Sequence, residues 1–505
     1  MSNVPGLDAA GLPEELSPLD QLLHRGEANP RTRSGIMTLE LLDTAPVWRD
    51  FRNRFENASR KVLRLRQKVV MPTLPTAAPR WVVDPDFNLD FHLRRVRVPE
   101  PGTLRQVMDI AEVAAQSPLD ISRPLWTATL IEGVENGQAA LMVHLSHAVT
   151  DGVGGVEMFA NLYDLERDPP AQEPAPLPIP SDLSPNDLMR QGINRLPATI
   201  AGGVRDILFG TAQAVGHVVR DPVSRLGSAV DYAMSGARVI GPAADPSPLL
   251  RRRSLSSRSE AIDIEFGDLH RAAKAAGGSI NDAYLAGLCG ALRLYHHAKG
   301  IPIDSLPMAV PVNVRSDSDP AGGNRFAGVN LAAPIGVADP ESRIRNIRSQ
   351  MTRKREERAL DMVGAIAPVV SLLPDTVLET MAASIVNSDV QASNVPVFAS
   401  DTFIAGAKVL RQYGMGPLPG VAMMVVLISR SGYCTVTTRY DRASIIDPDL
   451  FAHCLLDGFN EVLALGGDGR ASPATFTASP TTSAAMPDTT EEEPRSLSSN
   501  GSAAQ

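Results

Sequence analysis

The sequence predicts an α/β protein of two domains, and three observations carry that expectation. The chain has 505 residues, more than one compact core usually holds. Strand-like and helix-like periodicities alternate in both halves, as packed α/β layers require. Apolar residues make up 43% and charged residues 21%, close to ordinary folded chains, so most of the length is expected to fold.

The elements follow in order. Residues 91–98 (FHLRRVRV) alternate apolar and basic side chains, the period-two pattern of a half-buried strand. Thr103 with Gln106 three residues on forms a capping-box signature before a helix over 104–115. Strands are expected over 126–131 and 139–144, joined by a polar turn at 133–137, with a helix over 156–165 after the second. Residues 169–185 are proline-rich and read as an extended crossover. Apolar positions between 194 and 240 recur at helical spacing, broken near Pro222; such a segment suits a lipid surface or an interdomain packing face.

In the second half, Ser279 and Asp282 make another capping signature for a helix running through Leu294. A strand over 308–314 and a hairpin of 421–429 with 433–440 come next. A last helix begins with Asp447 as N-cap and Pro448 in its first turn. Residues beyond about 472 are rich in Ser, Thr, Pro and Glu and read as disordered. The expected division is therefore 1–168, a crossover at 169–257, a second domain at 258–471 and a tail at 472–505.

Composition excludes several roles. A net charge of −9 and a pI near 5.6 oppose general nucleic-acid binding, and 5% aromatic residues oppose a base-stacking platform. Cys289, Cys434 and Cys454 are too few and scattered for a disulfide framework or a cysteine metal site. The opening residues lack the basic and apolar regions of a signal peptide. No stretch approaches the ~18 uninterrupted apolar residues of a membrane span. The expectation is a cytoplasmic protein, with peripheral contact to the inner membrane face or lipid droplets left open.

Chemistry concentrates in His144-Leu-Ser-His147-Ala-Val-Thr-Asp151-Gly152. An imidazole, with an ordinary pKa near ~6.5, suits general-base work on a hydroxyl at neutral pH. Asp151 lies close to His147 if the intervening turn is helical, and Gly152, Gly154 and Gly155 permit tight turning. Taken alone, these residues also fit a hydrogen-bonded turn histidine with Asp151 as a helix cap. His144, His147 and Asp151 would also serve as ligands in a metal-dependent hydrolase.

A series of ordered blocks narrows the choice. LSPLD at 16–20, FHLRRVRVPEPG at 91–102, SRPLW at 122–126, SHAVTDG at 146–152 and Asn281-Asp282 in SINDAYLAGLCGALR come in sequence. PVNVR at 311–315, GGN at 322–324 and SNVP at 393–396 complete them. In this order and spacing the chain resembles the bacterial wax ester synthase/diacylglycerol acyltransferase family, within the acyltransferases that carry HHxxxDG. The resemblance implies two chloramphenicol-acetyltransferase-like domains with an interdomain substrate tunnel. It implies transfer of a long-chain acyl group from acyl-CoA to diacylglycerol or a long-chain alcohol, with no cofactor and no metal.

By the same resemblance His147 is the general base, Asp151 is structural and pairs with an arginine such as Arg315, and Gly152 belongs to the motif. Ser146, Trp126, Asn281, Asp282, Asn394 and Arg315 are the residues expected around the substrate. Each also has a plainer reading: Trp126 as core, Asn281 and Asp282 as a helix first turn, Asn394 as a loop cap, Arg315 as a solvated charge. Arg251–Arg253 would suit CoA phosphates, or solvent. Two departures stand out: Ser146 replaces the motif's first histidine, and Val397-Phe398 replaces Gly-Pro after Asn394-Val-Pro396. The first favours an alternative, a weakly catalytic or inactive relative that binds acyl chains or a partner.

Overall fold

Two mixed β-sheets, each built largely from one half of the chain, meet where α4 (Leu104–Gln116) and β12 (Ala407–Met415) pack on β7 (Ser257–Glu265), β13 (Met423–Arg430) and β14 (Tyr433–Asp441). The computed structural model describes residues 13–74, 77–150, 155, 158–170, 173–194, 243–313, 326–355, 388–467 and 471–478.

The first half opens with α1 (Pro18–Gly26), capped by the Ser17 hydroxyl, which accepts from the Asp20 N–H at 3.1 Å. After it come β1 (Gly35–Leu42), α2 (Trp48–Lys61) and a two-stranded ribbon of β2 (Gln67–Val70) and β3 (Arg80–Val83). A single turn, α3 (Leu89–His92), leads into β4 (Leu93–Arg97). The capping box of Thr103 and Gln106 starts α4 (Leu104–Gln116), and β5 (Trp126–Glu132) and β6 (Ala139–Ser146) form a hairpin.

The second half contributes β7 (Ser257–Glu265), α5 (Phe266–Ala275), α6 (Ile280–Ala298), β8 (Leu306–Asn313), β9 (Phe326–Ala333) and α7 (Pro340–Arg355). It continues with β10 (Val390–Pro396), β11 (Phe403–Ile404), β12 (Ala407–Met415), β13 (Met423–Arg430), β14 (Tyr433–Asp441), α8 (Pro448–Leu463) and β15 (Thr475–Phe476).

The first sheet runs β11-β12-β1-β6-β5-β4 and the second β15-β7-β14-β13-β10-β8-β9. Strand β12 thus leaves its own half and pairs antiparallel with β1, Met37 opposite Met415. No local pattern announces this: 403–415 falls inside the stretch 258–471 assigned to the second domain from sequence, yet its hydrogen bonds lie in the first sheet.

Helices α5 to α8 cover one face of the second sheet and enclose the largest core. Helices α6 and α8 meet at backbone distance: a Cβ on Gly458 would stand 2.2 Å from the Ala291 nitrogen. The other face of this sheet meets α4 and β12, where Thr435 Oγ1 donates to the Gln412 carbonyl at 2.5 Å. A polar network fixes this seam. Glu112 on α4 accepts from Arg439 Nε at 2.9 Å and from the hydroxyls of Ser259, at 2.5 Å, and Ser257. Arg105, also on α4, donates to the Ser259 carbonyl at 2.8 Å and pairs with Glu260 at 3.2 Å.

Three expectations change. Residues 91–92 belong to a helical turn, because Asn88 caps it by accepting from the Asp90 N–H at 2.9 Å; β4 then lies at the sheet edge with Arg94, Arg95, Val96 and Arg97 exposed rather than half-buried. The helix expected over 156–165 stops at Leu162, since Asp164 bridges to Phe403. Residues 472–478, expected within a disordered tail, include β15, which pairs with β7; beside it the Thr477 N–H donates to the Ala261 carbonyl at 3.0 Å and Thr477 Oγ1 to Asp263 at 3.0 Å. Polar composition hides an edge strand whose affinity comes from its backbone. The amphipathic stretch expected over 194–240 lies outside the described residues, apart from Asn194.

Candidate functional site

Strand β6 carries the motif into the seam. Its alternation sends Leu141, Val143 and Leu145 to the core under α2, and Ala140 and Met142 to the core under α4. His144 and Ser146 follow Met142 and face α4. Both are buried, and every residue from Ala139 to Thr150 is buried except His147, which is half-buried. Of the described residues from Ala139 to Thr150, His147, in the turn after β6, is the side chain left partly exposed.

That turn is held on several sides. The Ser146 N–H donates to the Leu125 carbonyl at 3.0 Å, and the Val149 N–H donates to the Ser146 carbonyl at 3.0 Å. The Ser146 hydroxyl donates to Glu27 Oε1 at 2.7 Å and accepts from the Ala148 N–H at 3.2 Å. Glu27 follows α1 as its C-cap and is buried, which pushes its carboxyl above the usual range, against the pull of Ser146, Ser34 and Arg33.

His144 is buried, and its Nε2 has no hydrogen-bond partner among the described residues. Its Nε2 sits 2.6 Å from where a Cβ on Gly35 would be, so β1 needs glycine there. Burial lowers its pKa to about 4, helped by the positive charges of Arg439, Arg33 and Arg94, and the ring stays neutral. Among the described residues, no cluster of His, Cys, Asp and Glu forms a metal-binding set.

The other expected residues divide. Trp126 is 1% exposed, donates from Nε1 to the Leu65 carbonyl at 2.8 Å and stacks on His92 and Phe55, which makes it a core residue. Asp282 completes the capping box of α6, accepting from the Ser279 N–H at 2.8 Å and hydroxyl at 2.7 Å. Asn281 and Asn394, 113 residues apart, come together: Asn394 Nδ2 donates to Asn281 Oδ1 at 3.5 Å, joining β10 to the start of α6. Asp151, Gly152 and Arg315 lie outside the described residues. Arg253, from the basic run, donates to the Gly420 carbonyl at 3.1 Å and stands 3.8 Å from Asp389, so it serves the fold.

Sequence reasoning missed Glu27. Its hydrogen-bond partner Ser146 lies 119 residues away, and no motif contains it. The available signal was weak: an acidic side chain at a helix C-terminus, where the helix dipole disfavours negative charge.

Comparison with known proteins agrees with this architecture. The wax ester synthase/diacylglycerol acyltransferase catalytic domain matches residues 7–284, and the C-terminal domain of the same family matches residues 322–462. A Mycobacterium tuberculosis H37Rv protein named for diacylglycerol O-acyltransferase activity is 68% identical over 467 residues, 92% of this chain and 95% of that protein. Another so named from the same organism is 29% identical over 480 residues, 89% of each.

Among solved structures, the wax ester synthase/diacylglycerol acyltransferase of Marinobacter aquaeolei VT8 is similar with a TM-score of 0.60 and 20% identity. The match covers 90% of this chain and 100% of that one. A starter condensation domain of rhizomide synthetase, in complex with C8-CoA and Leu-SNAC, gives 0.55 and 13%, covering 91% and 95%. These likenesses, with the two sheets, bear out the expected pair of chloramphenicol-acetyltransferase-like domains.

Proposed function

This chain belongs to the wax ester synthase/diacylglycerol acyltransferase family and is an acyl-CoA-dependent O-acyltransferase of that kind, and we propose that His147 is its general base. The imidazole accepts the proton of a diacylglycerol or long-chain alcohol hydroxyl as that oxygen attacks the thioester carbonyl. The tetrahedral oxyanion collapses, the C–S bond breaks, and the CoA thiolate leaves and takes the proton from the imidazolium. The products are triacylglycerol or wax ester and free CoA, and the chemistry calls for no cofactor. One observation carries the assignment: along Ala139 to Thr150 only His147 is half-buried, at the end of a strand pinned on both sides.

Asp151 keeps the structural role that the family resemblance gives it, with Arg315 as the candidate arginine for it, and Gly152 completes the motif. Asn281 and Asn394 support the wall of an interdomain substrate tunnel, a role their mutual hydrogen bond favours. Ser146, which stands where the family has histidine, is held by one donated and one accepted hydrogen bond, and that supports an active enzyme over an acyl-binding relative. The acceptor is a lipid, so the cytoplasmic protein meets it by peripheral contact with a membrane or droplet; no helix among the described residues is long and apolar enough to cross a bilayer.

The test is release of CoA thiol from palmitoyl-CoA with diacylglycerol or hexadecanol, comparing wild type with His147→Ala. Acceptor-dependent release is expected to fall by ~10²–10⁴-fold. Undiminished release in the variant overturns the assignment.

A further inference from the structure

We propose that Glu27 and Ser146 form a positioning pair for His147, an oxygen network that takes the place of the imidazole found at this point in the family motif. This deepens the reading of His147 as the base and rests on it. Ser146 precedes His147 directly, and Ala148 follows it. The Ser146 hydroxyl has a single proton, and giving it to Glu27 Oε1 at 2.7 Å turns the oxygen's lone pairs toward the Ala148 N–H at 3.2 Å. The peptide unit after His147 is thereby tied to a hydroxyl whose orientation the carboxylate dictates, while the unit before it is held by its carbonyl, which accepts from the Val149 N–H at 3.0 Å.

The carboxylate is itself anchored. Ser34 Oγ donates to Glu27 Oε1 at 3.3 Å. Arg33 donates from Nε to the Glu27 carbonyl at 3.2 Å and from Nη1 to the Gln116 carbonyl at 2.8 Å, linking the end of α1 to the end of α4. Glu27 is 2% exposed and Ser146 0%. The second carboxylate oxygen, Oε2, is buried with no hydrogen-bond partner among the described residues. Burying a carboxylate this way costs stability, which the positive charge of nearby Arg33 offsets only in part. What the carboxylate does touch is the turn that presents His147. It acts through Ser146 and not on substrate.

The experiment measures kcat and KM for palmitoyl-CoA in Ser146→Ala, Ser146→Thr, Glu27→Gln, Glu27→Leu and the Glu27→Leu/Ser146→Ala double variant, with thermal melting as the folding control. A lost charge-assisted hydrogen bond predicts kcat lower by about tenfold or more in Ser146→Ala and Glu27→Leu, with KM unchanged within about twofold. The double variant is expected to be no slower than the slower single variant, because the two residues act as one unit. Ser146→Thr, which keeps the hydroxyl, should recover most of the rate.

If Glu27→Leu melts early, Glu27→Gln removes the charge alone and is expected to show a smaller loss confined to kcat. Wild-type kcat in Ser146→Ala, a loss carried by KM, or additive losses in the double variant would overturn the pair. These outcomes separate from failure of the parent reading, in which wild type shows no acceptor-dependent release or His147→Ala retains it.

Discussion

Truncation of Glu112 tests how firmly the two halves are joined. Its carboxylate takes the Arg439 guanidinium at 2.9 Å and two serine hydroxyls from β7, all across the seam. The side chains of Glu112 and Arg439 are 7% and 5% exposed, so solvent screens the pair little. In Glu112→Ala the arginine charge keeps only neutral acceptors, Ser257 Oγ at 3.0 Å and the Gly416 carbonyl at 3.2 Å. Removing one partner of a buried pair typically costs about 3–5 kcal/mol, because the other charge is left uncompensated.

Urea unfolding followed by both tryptophan fluorescence and circular dichroism measures that cost. Arg345→Ala, which breaks the exposed pair with Glu341, should cost under about 0.5 kcal/mol. Replacing both Glu112 and Arg439 by methionine should recover at least half of the loss, since no orphaned charge remains. A cost for Glu112→Ala below about 1 kcal/mol, or a double variant weaker than the single, would refute this account of the seam.

Two further outcomes follow from burial. His24, His92 and His144 all have pKa values lowered to about 4, chiefly by desolvation. Between pH ~6.5 and ~4 the unfolded chain binds protons that the folded chain refuses, so stability falls with pH through that window, by up to roughly 3 kcal/mol per histidine. Carboxyls held above their usual range, such as Glu27 and Glu40, work in the opposite direction, so a variant isolates the effect. His144→Leu should lose less stability than wild type between pH about 7.5 and about 5 in urea unfolding, and equal losses would sink the claim. Gly458→Ala sets a methyl 2.2 Å from the Ala291 nitrogen and 2.7 Å from the Gly287 carbonyl oxygen, backbone atoms that cannot swing away. It should destabilise by about 3 kcal/mol or more in the same assay, and a loss under about 1 kcal/mol would show that α6 and α8 can separate.

Local signals in the sequence were read well where side chains and backbone agree. The capping boxes of α4 and α6, the β5–β6 hairpin and the Asp447 cap of α8 all depend on residues within a few positions of each other. The strand that carries the motif was legible for the same reason. The features that stayed hidden depend on distant partners. Glu27 meets Ser146, Asn281 meets Asn394, and β12 meets β1, each across more than a hundred residues and without periodicity to announce it. Trp126 shows the converse: its place in a recognised block pointed to substrate, while its indole is spent on core stacking and the Leu65 carbonyl.

The crossover strand explains why the site belongs to the whole chain. Strand β6, which presents His147, pairs with β1, and β1 has β12 as its other neighbour. Without residues 407–415 that edge of β1 would stand unpaired, with its backbone donors and acceptors exposed. The same strand packs on β13 and β14, so the register of β1, and through it of β6, is set partly by the second half. Glu112 and Arg105 fix α4 to β7 on the face that His144 and Ser146 also share. The turn that carries His147, the proposed base, is therefore held in place by residues of both halves.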